Sequence, residues 1–246
     1  MKRFLLLPLI ALSLVASATG ASAADVVPAS PEPPPAPVLP TPPSMADGSW
    51  TARVLFPANA RSQPGAGKVV MKLKHYAAYT QGPNVFMVTD ATMVGDMMWV
   101  RVQLPKRPNG TQGWISEDAL ELRQIHTWIR VSVGTRKVQV FKNGKRIKSF
   151  SAAVGTGGTP TPTGLFAVSD AVPTSGELAP FIFVLTAHSN VLKTFAGGNG
   201  VVGIHGWPSS NVLGKAVSHG CVRMSRAGAK SLSRYATAGT PVEIVK

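Results

Sequence analysis

The chain has one cysteine, Cys221, in the run Ser218-His219-Gly220-Cys221-Val222-Arg223-Met224. A thiol with its ordinary pKa near ~8.5 is barely ionised at neutral pH, so nucleophilic work requires a base or an electropositive setting. His205, in Gly203-Ile204-His205-Gly206, is a candidate base, and Arg223 adds positive potential two residues beyond the thiol. A helix expected to begin just after Cys221 would aim its N-terminal dipole at the sulfur and favour thiolate. Between Arg123 and Pro241 the only acids are Asp170 and Glu177, neither close to His205 in sequence. A backbone carbonyl, such as that of Gly206, is therefore the expected orienter of the imidazole. The consecutive N–H groups of Gly220 and Cys221 are candidates for an oxyanion hole, and glycine at 220 lets a carbonyl approach closely. These residue types point to nucleophilic acyl transfer. Two other readings stand beside it: an inert buried thiol, and a zinc site from His205, His219 and Cys221, whose spacing fits no common zinc signature.

The elements that must position these groups read as mostly β. Trp128 to Val133, Lys137 to Phe141 and Ile147 to Val154 are expected strands, and Asn143-Gly144 between the last two is a two-residue hairpin signal. Pro241 to Val245 is expected as a closing strand. One helix is predicted from Arg226 to Tyr235, with Ala229, Leu232 and Tyr235 on its apolar face and Ser225 as a candidate cap. Upstream, Arg53 to Phe56, Val69 to Leu73, Trp99 to Val102 and Gly113 to Ile115 are short β-prone runs separated by turn residues, the pattern of a small barrel or sandwich. Met93, Met97 and Met98 are expected to fill its core. His75, His126 and His188 lie in no motif and are expected to be structural or surface residues.

Two resemblances then become specific. The pairing of Trp99-Val100-Arg101-Val102 with Gly113-Trp114-Ile115 resembles the bacterial Src-homology-3-like barrel, over roughly Thr51 to Leu122. In exported proteins such barrels often bind cell-wall peptides; a spacer role is the alternative. Further on, Ile204-His205-Gly206, Leu213 to Val217 and Ser218 to Met224 resemble the L,D-transpeptidase catalytic domain. So do Gly155 with Thr159-Pro160-Thr161-Pro162-Thr163-Gly164-Leu165-Phe166, and Gly239 to Ile244. The resemblance runs from about Thr127 to Val245. It implies a mostly β fold with one or two short helices, and a peptidoglycan-remodelling acyltransferase that needs no metal or organic cofactor. It implies Cys221 as the nucleophile that attacks the third-residue carbonyl of a stem tetrapeptide and expels D-alanine, with His205 as base. It assigns Gly206, Trp207, Ser218, His219, Gly220 and Arg223 to the oxyanion and substrate-binding surroundings. An amine acceptor then takes the acyl group to form a cross-link. An L,D-carboxypeptidase or cross-link hydrolase using the same acyl-enzyme, and a non-catalytic wall-binding protein, are the alternatives. The chain departs from the family at Trp207, where relatives commonly carry a small or hydroxyl residue, so that Trp207 either walls the acceptor side or simply packs. It departs again at Arg226 and Gly228, where Asn and Asp are common, which leaves the capping of the helix open.

The rest of the chain bounds the setting. Met1-Lys2-Arg3, the apolar stretch Phe4 to Ala16 and Ala21-Ser22-Ala23 read as a signal peptide over residues 1–23. A proline-rich linker over 24–49, with Pro33-Pro34-Pro35 at its centre, favours an extended tether. The barrel then occupies 50–123 and the catalytic domain 124–246. An exported protein of the periplasm or cell envelope, monomeric and without a transmembrane segment after cleavage, is the expectation. The formal net charge of +14 is better used on a polyanionic envelope than on nucleic acid, which export disfavours as a partner.

Overall fold

A computed structural model describes residues 38–246. The expected signal peptide and the linker up to residue 37 lie outside the described residues. Of the remaining linker, Ser44 to Gly48 is a hydrogen-bonded turn, closed by Ser44 N–H to Gly48 C=O at 2.9 Å and the reverse bond at 2.8 Å. The first strand begins at Ser49, so the tether does not extend to residue 49 as expected.

Seven strands follow: β1 (Ser49–Val54), β2 (Ala58–Arg61), β3 (Val69–Leu73), β4 (Val85–Val94), β5 (Met97–Gln103), β6 (Gln112–Ser116) and β7 (Leu120–Ile125). They form one sheet in the order β3-β2-β6-β5-β4-β1-β7, with every pairing antiparallel. Alternate residues such as Ala52, Val54, Val100, Val102 and Ile115 are buried in its core. Of the three methionines expected inside, only Met98 is buried. Met93 and Met97 are exposed because the β4–β5 hairpin, with Met93 opposite Met98 and Val94 opposite Met97, reaches its turn there.

The remaining strands are β8 (Thr127–Ser132), β9 (Lys137–Lys142), β10 (Lys145–Gly155), β11 (Gly164–Pro173), β12 (Phe181–His188), β13 (Val201–Trp207), β14 (Ala216–Ser218), β15 (Val222–Ser225) and β16 (Pro241–Val245). Their order is β14-β10-β15-β13-β12-β11-β16-β8-β9, and β9 also pairs with β10. The long β10 gives its first half to β9 and its second to β15 and β14, so eight strands close on themselves and only β14 lies outside the ring. The β9–β10 connection is the two-residue turn Asn143-Gly144, both with positive φ (50° and 71°), as this sequence favours. The fold is mostly β with a single α-helix among the described residues, α1 (Arg226–Leu232). Ala229 and Leu232 are buried on the barrel core and Tyr235 packs against it. The helix ends before Tyr235, which is reached through a turn with Tyr235 N–H on Leu232 C=O. Ser225 caps it, its hydroxyl accepting from Gly228 N–H at 3.0 Å, which answers the capping left open by Arg226 and Gly228.

Hydrogen bonds join the two sheets. Gln103 is buried; its Nε2 donates to Leu165 C=O at 2.7 Å and its Oε1 accepts from Thr186 Oγ1 at 2.7 Å. Asn109 grips the backbone of His188 from both sides, accepting from its N–H and donating to its C=O at 2.8 Å each. The Asp170 carboxylate accepts from Tyr79 N–H, Thr80 N–H and Thr80 Oγ1. Groups left unpaired at such a buried seam would cost about 1–3 kcal/mol each, so the two sheets are held in one mutual position. No helix among the described residues is long and apolar enough to cross a membrane.

Candidate active site

Pairing of β13 with β15 assembles the site. The strands run parallel with Ile204 opposite Val222 and His205 opposite Arg223. Side chains alternate across a sheet. Ile204, Val222 and Met224 enter the core, while Gly203, His205 and Trp207 face the other way with Cys221 and Arg223. This second face lines a cavity of about 480 Å³ that also receives Ser218, His219, Glu177 and Phe195. Six of the eight residues expected at the site therefore share one cavity. Gly206 and Gly220 do not line it; both act through the backbone.

His205 is buried, and its Nδ1 lies 2.8 Å from Gly206 C=O. A carbonyl only accepts, so Nδ1 carries the proton and Nε2 presents its lone pair. Gly206 thus orients the imidazole rather than meeting substrate. No side chain fits at Gly206, since a Cβ would stand inside contact distance of Ala179 C=O. Desolvation holds the His205 pKa below its usual value; the Gly206 carbonyl and Glu177 oppose this, and Arg223 reinforces it.

Cys221 Sγ accepts from Gly203 N–H at 3.4 Å. Its pKa is raised, because desolvation outweighs the Gly203 N–H and the positive Arg223. The expected thiolate-favouring helix dipole is missing here: β15 separates Cys221 from α1, which starts at Arg226, and the dipole fades beyond a helix's first turn. Cys221 up and His205 down together describe a neutral thiol beside a neutral imidazole.

The expected oxyanion pair is also altered. Gly220 N–H is engaged by Ser218 Oγ at 3.1 Å, which leaves the Cys221 N–H as the remaining member. Ser218 Oγ in turn donates to Cys221 C=O at 2.5 Å. Ser218 is therefore a brace inside the nucleophile loop, whose backbone bends through a φ of +119° at Gly220. The Thr-Pro segment braces the loop from outside. Buried Thr161 accepts from Gly155 N–H and donates to Gly220 C=O, both at 2.9 Å, and Thr159 Oγ1 donates to Ser218 C=O at 3.2 Å. Thr161→Val keeps the shape of the side chain but strands two buried backbone groups. It is expected to lower stability by about 2–4 kcal/mol, measured by urea unfolding.

Arg223 stacks on Trp207, its guanidinium carbon 3.7 Å from the ring centroid, and is in none of the three ion pairs among the described residues. Trp207 thus packs on a cation and walls the cavity at once. Glu177, Phe195 and Arg107 had no signal in sequence. Phe195 forms the tip of a small turn over residues 195–198 and lies 5.0 Å from the His219 ring. Arg107, from the N-terminal sheet, donates to the carbonyls of Ser189 (2.7 Å), Leu192 (3.0 Å) and Asn199 (3.1 Å). Those carbonyls root the segment that carries Phe195 over the cavity. Gly200 is needed beneath this clamp, because a Cβ there would lie 2.9 Å from the Arg107 guanidinium. Since one charge-assisted bond is worth about 1.5–3 kcal/mol, Arg107→Ala is expected to speed amide hydrogen exchange across 190–199 by about tenfold or more. Arg107→Lys should restore part of the protection.

Among the described residues, no group of three His, Cys, Asp or Glu side chains is arranged to hold a metal. In particular, the His219 ring packs on Phe195.

Comparison with known proteins agrees with this geometry. A 116-residue stretch is 31% identical to a YkuD protein of Bacillus licheniformis, covering 47% of this chain and 64% of that relative, which is less than two thirds of its length. L,D-transpeptidase 1 of Mycobacterium tuberculosis is 27% identical over 184 residues, 59% of this chain and 70% of the relative. A solved L,D-transpeptidase from Mycobacterium smegmatis aligns over 65% of this chain and 98% of its own, at 15% identity and a TM-score of 0.40. The family model of the YkuD L,D-transpeptidase catalytic domain matches residues 126–244, and this segment of the chain belongs to that family.

Proposed function

We propose that this chain is an exported, monomeric peptidoglycan L,D-transpeptidase of the periplasm or cell envelope, in which Cys221 is the nucleophile and His205 the general base. The observation that carries the reading is the tautomer of His205. With Nδ1–H committed to Gly206 C=O, Nε2 is a basic nitrogen in the same cavity as the chain's one thiol.

In the first half-reaction Nε2 takes the thiol proton as Sγ attacks the third-residue carbonyl of a stem tetrapeptide. The tetrahedral intermediate collapses, the bond to D-alanine breaks, and the imidazolium returns the proton to the leaving amine. In the second, neutral His205 deprotonates an acceptor amine as it attacks the thioester, and the thiol is regenerated with a new amide. Arg223, a cation without a carboxylate partner on the cavity wall, is suited to a substrate carboxylate. The family match over 126–244 supports the reaction class; the leader-like residues 1–23 support export. The N-terminal sheet is proposed to be a Src-homology-3-like module.

The test uses the mature protein and a disaccharide-tetrapeptide carrying diaminopimelate, with products read by mass spectrometry. A dimer lacking one D-alanine is expected. Tripeptide alone would replace transpeptidation by carboxypeptidase activity. No turnover with this donor would remove the proposed reaction.

A further inference from the structure

A second cavity, of about 470 Å³, opens at the seam between the two sheets. The N-terminal sheet and its loops contribute Lys72, Lys74, Tyr76 and Phe86; the catalytic domain contributes His188 and Asn199. It is as large as the catalytic cavity and within the ~300–1,000 Å³ range of ligand sites.

Its polar groups are not used up by packing. His188 is only 2% exposed, yet its Nδ1 makes no hydrogen bond, and its Nε2 has only a long contact of 3.4 Å to Asn199 Nδ2. Buried polar atoms are normally paired, so one left open on a cavity wall marks a place where a ligand can supply the partner. Lys72 and Lys74 take part in no ion pair among the described residues; the Lys74 ammonium lies 5.1 Å from the Tyr76 ring centroid. Asp170 is the one acid on the wall, and its carboxylate is already occupied by Tyr79 N–H, Thr80 N–H and Thr80 Oγ1. The cavity therefore offers cations, an imidazole, an amide and aromatic faces, with its acid engaged. A bare inorganic anion would leave the aromatic faces and the imidazole unmatched.

We infer that this cavity is a binding site, separate from the catalytic one, for a short peptide with free carboxylates. Lys72 and Lys74 meet the carboxylates, and His188 and Asn199 meet peptide groups. The inference rests on the proposed function in that such peptides are then the material on which the enzyme works. It also gives the N-terminal sheet a task beyond spacing. Val184 and Val201 line both cavities, so an occupant here is separated from the catalytic site by a single wall of β12 and β13. Asn199 lies in the segment that Arg107 clamps.

The test titrates the full mature Cys221→Ala protein, which binds without turnover, with the tripeptide Ala-Glu-Lys. Calorimetry gives the affinity, and the imidazole resonances of His188 place the site. The free-carboxylate peptide is expected to bind and to shift His188. Amidating its carboxylates, or the double change Lys72→Glu with Lys74→Glu on exposed positions, should each weaken binding by about tenfold or more. Equal affinity of the amidated peptide, unchanged affinity of the double variant, or an unmoved His188 resonance would each overturn the inference. Complete displacement by an equal concentration of inorganic phosphate would also overturn it, reducing the site to a simple anion site. Cross-linking by the unmodified enzyme is measured separately. Turnover without binding here removes only this inference, while binding here without turnover removes only the proposed reaction.

Discussion

Cys221→Ala abolishes release of D-alanine and formation of cross-linked dimer, with a loss of about 10⁴-fold or more, because the covalent route has no other nucleophile to use. The chain offers no second thiol as a substitute. The fold should survive. Cys221 is only partly buried, its one side-chain contact of polar type is the 3.4 Å acceptance from Gly203 N–H, and the loop is braced by Ser218 and Thr161 rather than by sulfur. A stability change of about 1 kcal/mol or less is expected, as for a small truncation at a site of this exposure. Incubation of the unmodified protein with tetrapeptide should yield a mass increase on Cys221 equal to the acyl tripeptide, and the alanine variant none. Appreciable turnover by a folded Cys221→Ala protein would exclude covalent cysteine catalysis.

His205→Ala should lower kcat/KM for acylation by about 10²–10⁴-fold, the usual worth of a positioned general base. The pH profile carries the sharper test. A general base works in its neutral form, so the rate falls as pH drops through the base's pKa. Desolvation holds the His205 pKa below its usual value, which places that acid limb below about pH 6.5. The limb should vanish in His205→Ala. Because the Cys221 pKa is raised, the resting enzyme at neutral pH should show no ultraviolet thiolate absorbance. An acid limb that persists unchanged without His205 would assign the base elsewhere. A strong thiolate signal at neutral pH would replace the neutral pair by an ion pair.

How much of this was legible in sequence differs by element. Asn143-Gly144, the closing strand Pro241–Val245 and the apolar face of α1 follow from local rules: two successive positive φ values, a β-prone run, and a repeat of three to four residues. The strands β11 to β13 had no such signature. In β12, Phe183, Leu185 and Ala187 enter the barrel core while Val184, Thr186 and His188 turn to the seam with the N-terminal sheet. Both faces are buried, so the alternation that announces a half-exposed strand is absent. The same seam explains His188, which has no motif around it yet is among the most buried polar residues.

The chemistry divides in the same way. The identity of the reacting groups, one cysteine and the histidine in Ile204-His205-Gly206, was set by residue type and needs no fold to be recognised. That Cys221, His205, Trp207 and Arg223 share a face follows only from the parallel register of β13 and β15, because a slip of one residue would send all of one strand's side chains into the core. Whether the thiol is ionised was decided by burial against charge, and sequence proximity to Arg223 and α1 pointed the wrong way. The groups that came from far along the chain, Arg107 on the segment 189–200 and Glu177 near His205, were invisible for the plainest reason. Their roles depend on distances across the fold, and hydrogen bonds and charges act over ångströms of space, not over positions in a sequence.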